Sequence, residues 1–155
     1  MNKYLIVATP EELTLPAARE NMHDRHIMVT GEGPLNVIKA VKDLPWDCDI
    51  LNVGYAGSPD LQPGTAVCPS SVSTFHPCAA FLEPRAILHS YDANTPRVPC
   101  ITAMDFITSA DNLPAGCVVD MELAFLAAFN FAHLVSVKYV SDNLNKKQYD
   151  SCLKK

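Results

Sequence analysis

Three carboxylates in one stretch stand where side chains can do chemistry. Residues 118–143 read VVDMELAFLAAFNFAHLVSVKYVSDN. Asp120 and Glu122 follow the apolar pair Val118-Val119 and precede a run of helix formers, and Asp142 follows a second apolar run. The pattern predicts strand, helix, strand, with the helix over 123–131 and the second strand over 134–140. In a parallel α/β sheet both acid positions lie at the carboxyl edge of the strands, where ligands bind. Glu122 falls in the first helical turn, where the helix dipole favours an anion. Asp120 can cap that helix by accepting an orphan backbone N–H. The same acids have a plain structural use, because first-turn acids cap and an Asp after a strand begins a turn. What sets them apart is what stands earlier in the chain.

The elements that must position these acids follow from periodicity and punctuation. Residues 4–8 form a short apolar run, a candidate buried strand. Thr9 is a candidate N-cap and Pro10 suits a first helical position. A helix is predicted over 11–20, with Leu13 and Ala17 on one face and Pro16 shortening or kinking it. Strands are predicted over 26–30 and 49–53. Between them the turn Gly31-Glu32-Gly33-Pro34 leads into a helix over 35–44, with Leu35, Ile38, Val41 and Leu44 inward. The third strand ends in Gly54-Tyr55-Ala56-Gly57-Ser58, a Gly-x-x-Gly signal that marks any tight turn but whose amides could face a ligand. Residues 65–75 read as strand, 85–89 and 100–103 as short strands, and 96–99 as loop. His133 is expected to close the helix, where a cation suits the dipole. His76 could enter a pocket, although a surface position fits it better. Alternating strand and helix at both ends, with extra strands between, predicts one three-layer α/β domain over 1–155 with a mixed central sheet.

Composition limits the function classes. At 155 residues, with 48% apolar and 19% charged residues, the chain can bury a core as one domain. The net charge is −5 with no basic run, so nucleic acid is not an expected partner. No apolar stretch reaches the ~18 residues of a membrane span. The N-terminus does not read as a signal peptide, so a cytoplasmic protein is expected. The six cysteines form no C-x-x-C, and Cys68, Cys78, Cys100 and Cys117 lie in or beside apolar segments, where free Cys behaves as a small hydrophobe. The five histidines show no metal spacing, and neither metal nor cofactor is expected.

Several segments together resemble the nucleoside phosphorylase and nucleosidase superfamily, and most of all the methylthioadenosine/S-adenosylhomocysteine nucleosidases. They are Ala8-Thr9-Pro10-Glu11-Glu12-Leu13, Gly31-Glu32-Gly33-Pro34-Leu35-Asn36, and Asn52-Val53-Gly54-Tyr55-Ala56-Gly57-Ser58 followed by Leu61-Gln62-Pro63-Gly64-Thr65-Ala66-Val67. Next come Thr102-Ala103-Met104-Asp105-Phe106-Ile107, Asp120-Met121-Glu122 and Ser141-Asp142. Each is weak alone; their order along most of the chain carries the resemblance.

The resemblance implies a phosphorylase/hydrolase-like fold and hydrolysis of the N-ribosidic bond of an adenine-type purine nucleoside. Glu12 would position and deprotonate the attacking water, and Asp142 would protonate the departing purine. Met121 and Glu122 would hold the ribose, Phe106 would stack on the base, the Ile107 backbone would read its edge, and Ala56 and Gly57 would line the sugar side. Such a reaction passes through an oxocarbenium-like state. Carboxylates stabilise the growing positive charge on the sugar, and the leaving base needs an acid that burial or a neighbouring carboxylate keeps neutral near pH 7.

The departures are specific. The segment 70–102 is shorter than in the family, and 13 residues follow Asp142 where the family has a long covering helix. Tyr149 could supply a replacement aromatic. The loss of cover and the family's habit imply a homo-oligomer, with a dimer favoured. The alternatives are a phosphorylase and a non-catalytic nucleoside-binding relative. The phosphorylases carry an arginine beside the glycine motif, where this chain has Asn52; Arg85 and Arg97 are the other candidate phosphate ligands.

Overall fold

The computed structural model describes residues 1–75 and 86–154. His76, Cys78 and Arg85, and with Arg85 the start of the strand predicted there, lie outside the described residues. In chain order the elements are β1 (Lys3–Val7), a 3-10 helix (Pro10–Thr14), α1 (Pro16–Asn21), β2 (His26–Val29), α2 (Pro34–Val41) and β3 (Asp49–Gly57). They continue with β4 (Ala66–Thr74), β5 (Ala86–Ile87), β6 (Arg97–Thr102), β7 (Val118–Asp120), α3 (Leu123–Ala127), β8 (His133–Asp142) and α4 (Lys146–Leu153).

The strands make one mixed eight-stranded sheet in the order β2-β1-β3-β7-β6-β4-β5, with β8 pairing both β3 and β4. β8 runs parallel to β3 and antiparallel to β4. β6 runs parallel to both β4 and β7. β7 then returns to β3 through one antiparallel bridge, Gly57 to Val119. The sheet therefore curls on itself into a distorted barrel, from which β1 and β2 extend on one side and β5 on the other.

The period-two alternation of the strands divides the core. Leu5 and Val7 of β1, Leu51 and Val53 of β3, and Val135 and Val137 of β8 pack against Ala17 and Ala18 of α1. Ile6, Ile50, Leu134 and Val140 point the other way, towards Val37 and Val41 of α2 and Leu123 and Leu126 of α3. Helix, sheet and helix give the three layers expected. The second face also carries polar groups, which must be paired when buried. Ser136 Oγ donates to Asn52 Oδ1 at 2.8 Å, and Asn52 Nδ2 donates to the Ile6 carbonyl at 3.2 Å.

Several expected boundaries need correction. Pro16 does more than kink a helix: it separates the 3-10 helix from α1. Leu35 is 71% exposed: α2 begins at Pro34 and turns Val37 inward in its place, with Val41 inward as expected. β3 does not stop at Val53 but runs through the glycine motif to Gly57, since β8 pairs with it along that whole length. The expected loop 96–99 is largely strand. α3 ends at Ala127, and Asn130 takes a positive φ of 52°, a left-handed conformation Asn tolerates. His133 closes no helix; it opens β8, with Nδ1 3.1 Å from Asp49 Oδ1. α4 was not expected at all. Among the described residues, no helix is long and apolar enough to cross a membrane.

Candidate active site

Glu12 sits on the 3-10 helix just after β1 and is buried. Its Oε1 accepts the N–H groups of Ala8 at 2.8 Å and Thr9 at 2.9 Å, and its Oε2 accepts that of Tyr55 at 2.7 Å. The carboxylate thus caps from within the helix, accepting the N–H of Thr9 itself, whose hydroxyl has no hydrogen-bond partner among the described residues. Residue 54 must be glycine here: a Cβ would lie 2.6 Å from Glu12 Oε2 and 3.4 Å from Lys138 Nζ. Burial raises the pKa of Glu12, while the charge of Lys138 and the three N–H bonds pull it part of the way back.

Asp120 ends β7 and does cap α3, accepting the N–H of Leu123 at 2.8 Å. It also accepts from Thr102 Oγ1 at 2.6 Å and pairs with Lys138 Nζ at 3.2 Å. Lys138 is the residue that sequence reasoning missed, because it was absorbed into an apolar strand. Its side chain is 2% exposed, and lysine is almost never buried unless paired. Burial alone would lower its pKa, but Asp120 and then Glu122 outweigh that and raise it, so the ammonium persists. The signal was available: a lone Lys on the inward face of a strand, two residues from Ser136 and two from Val140.

Glu122 occupies the N-cap position of α3 without capping it, rather than the first turn. Its Oε2 is buried and has no hydrogen-bond partner among the described residues. Burial first, and the charge of Asp120 second, push its pKa up to about 8. Near pH 7 the group is largely neutral and can donate as well as accept. Asp142, the last residue of β8, is 1% exposed. Its Oδ1 accepts from Ser141 Oγ at 2.6 Å and its Oδ2 from the Asn145 N–H at 3.1 Å. Gly57 leaves room beside it, since a Cβ there would stand 3.1 Å from Asp142 Oδ2.

Glu12, Glu122 and Asp142 share one cavity of about 160 Å³ with Ala56, Gly57, Phe106 and Met121. Ile107 lines an adjoining hollow with Phe106 and Asp142. The eight residues that the resemblance names for the site therefore line this cavity or the hollow beside it. The reason differs from the parallel-sheet edge expected. β3 and β8 run one way and β7 the other, yet Gly57 pairs with both Asp142 and Val119. The curl of the sheet brings the carboxyl ends of oppositely directed strands to one place. Tyr149 also lines the cavity, with its ring centroid 5.7 Å from that of Phe106. Arg97 does not line it; its Nη2 donates to the Leu88 carbonyl at 2.7 Å. Asn52 is engaged in the buried pair with Ser136 described above.

Such an arrangement can take a proton on one side of a bound molecule, give one on the other, and surround a growing cation with carboxyl groups. The overall architecture has close counterparts. A Chlamydia trachomatis nucleosidase bound to methylthioadenosine superposes with a TM-score of 0.74 at 18% identity, covering 99% of this chain and 90% of that one. The chain has the fold of these nucleosidases. The Neisseria meningitidis 5′-methylthioadenosine/S-adenosylhomocysteine nucleosidase, in complex with methylthio-immucillin-A, matches at a TM-score of 0.72 and 18% identity over 99% of this chain and 92% of that one. Futalosine hydrolase of Helicobacter pylori matches at 0.72 and 16% identity over 99% and 91%. The nucleosidase fold thus extends over nearly the whole chain at low identity. No family model matches the sequence, and no curated protein matches it by sequence comparison.

Proposed function

We propose that the chain hydrolyses the N-ribosidic bond of an adenine-type purine nucleoside such as methylthioadenosine or S-adenosylhomocysteine. The observation that carries this reading is the convergence of buried Glu12 and Asp142 and half-buried Glu122 on a cavity lined by Phe106, with Glu122 Oε2 unpartnered among the described residues. The fold shared with nucleosidases supports it.

Glu12 takes a proton from water as the water oxygen bonds to the anomeric carbon. The carbon–nitrogen bond breaks, its electron pair leaves with the base, and Asp142 gives a proton to a ring nitrogen. A raised pKa makes Glu12 a better base than a free carboxylate. Glu122 and Met121 hold the ribose. Phe106 stacks on the base, the Ile107 backbone reads its edge, and Ala56 and Gly57 line the sugar side. Lys138 keeps the buried acids in register by balancing Asp120.

Water, rather than phosphate, is the acceptor in this reading, because Asn52 and Arg97 are committed to bonds within the fold. The whole chain acts as a single domain. Exposed Leu35 and Met104, beside cavity residues in sequence, favour a homo-oligomer, with a dimer first. Unpaired thiols at Cys48, Cys68, Cys100, Cys117 and Cys152 suit a reducing cytoplasm, and purine salvage is the setting such a reaction fits. Adenine release from methylthioadenosine in phosphate-free buffer, with oxygen-18 from labelled water entering the sugar, is the expected result. Release that requires phosphate and yields a sugar 1-phosphate would overturn it.

A further inference from the structure

Two charged residues line the cavity, both exposed, and take no part in the chemistry above: Glu32 and Lys146. Glu32 stands on the loop between β2 and α2, flanked by Gly31 and Gly33 at φ 88° and 90°. That loop is fixed from two sides. Asn36 Nδ2 donates to the Glu32 carbonyl at 2.7 Å, and the Gly33 N–H bonds the Glu122 carboxyl group. Glu32 is therefore one residue away from a direct contact with the acid assigned to the ribose. The base end lies elsewhere: Phe106, Ile107 and Asp142 share a hollow that Glu32 does not line. A nucleoside with its base there and its ribose on Glu122 sends its 5′ arm away from the hollow, towards Glu32.

The Tyr149 hydroxyl donates to Glu32 Oε1 at 2.5 Å, and Lys146 Nζ lies over the same ring, 5.2 Å from its centroid. A carboxylate and an ammonium thus stand about one tyrosine ring apart. Lys146 pairs with Asp150 one turn along α4, but the pair is exposed and adds little. Its ammonium has three donors, so a ligand oxygen can join Asp150 there. We propose that Glu32 and Lys146 select the 5′ arm of the nucleoside: the chain prefers an arm that ends in an α-amino acid, its ammonium on Glu32 and its carboxylate on Lys146, to a plain alkylthio arm. This rests on the nucleosidase reading and chooses between the two substrates named there, S-adenosylhomocysteine ahead of methylthioadenosine. An α-amino acid carries both charges on one carbon, so its two hydrogen bonds can run to two opposite groups set this close. An arm with an ammonium alone leaves Lys146 unanswered, and one with a carboxylate alone meets Glu32 as a like charge. An alkyl arm takes water from both groups and gives nothing back.

Adenine release from the two nucleosides in competition, on the full chain, tests this through the ratio of their kcat/KM values. The original protein is expected to favour S-adenosylhomocysteine. Glu32→Gln keeps an oxygen for Tyr149 and removes only the charge. It should lower the ratio roughly 5- to 20-fold, between the effect of an exposed ion pair and that of a charged hydrogen bond. Lys146→Met should lower it less, about 2- to 5-fold, because the lysine side chain is 56% exposed. A general disturbance of the site cancels in the ratio. An analogue with a 3-aminopropylthio arm, which has the ammonium and no carboxylate, should respond to Glu32→Gln and not to Lys146→Met. A ratio that neither variant moves overturns the inference and leaves the nucleosidase reading standing. A preference of the original protein for methylthioadenosine does the same. Failure to release adenine from either nucleoside removes the nucleosidase reading, and this inference with it.

Discussion

Asp142 is the residue on which the proposed chemistry turns most sharply. Its two oxygens accept from Ser141 Oγ and from the Asn145 N–H. Asn can keep both contacts, its oxygen accepting from Asn145 and its amide donating to a rotated Ser141 hydroxyl. Asp142→Asn should therefore fold normally and bind nucleoside, while kcat falls ~10²–10⁴-fold because no proton reaches the leaving base. Steady-state kinetics beside thermal melts check this; near-normal turnover rejects Asp142 as the acid. Glu122 gives a second expectation. Its pKa lies near 8 in the folded chain against 4.5 for the free group. Between those values the folded state holds the extra proton, so this group makes stability fall as pH rises from about 4.5 to about 8. Glu122→Gln, neutral throughout, should flatten that slope and leave the variant more stable relative to the parent at pH 8.5 than at pH 5. Urea unfolding at the two pH values reads it. The same variant should weaken nucleoside binding and rate together.

Among the elements, what the sequence made readable were those with a one-sided apolar pattern. β1, β2, β4 and α2 appear within a few residues of where periodicity puts them. α4 was invisible because its Lys-Lys-Gln-Tyr-Asp-Ser run buries nothing and so has no stripe to read. The glycine motif read as a turn because Gly usually punctuates, whereas here it belongs to β3 and exists to admit Glu12. Asp120 and Asp142 were legible because each ends a strand, and Glu12 through the resemblance; Lys138 was not, since it lies within an apolar strand. Two substitutions test this. Lys138→Ala leaves Asp120 buried without its counter-ion and should cost ~3–5 kcal/mol in denaturant unfolding. Gly54→Ala should displace the Glu12 carboxylate and lower kcat at least ~10-fold, with a smaller loss of stability than Lys138→Ala. A Gly54→Ala enzyme with full activity would show that the position of Glu12 is not what the reaction needs.

At the scale of the whole molecule, the curl of the sheet makes the site. In an open, flat sheet the opposite directions of β7 and β8 would have set Asp120 and Asp142 on edges facing apart. That outcome was not legible, because strand order and direction depend on pairings between segments far apart in sequence. The ring closes through a single bridge, Gly57 to Val119, and the cavity lies against it. Backbone groups secured by one bridge open more often than those in long ladders. The amides around that seam should therefore exchange with deuterium well before those of the β3–β8 ladder. A nucleoside seated between Phe106 on one side of the seam and Asp142 on the other would act as a staple across it. Saturating ligand should then slow exchange at the seam first and raise the melting temperature with ligand concentration. The weakest stitch in the barrel is thus the one the substrate itself sews shut.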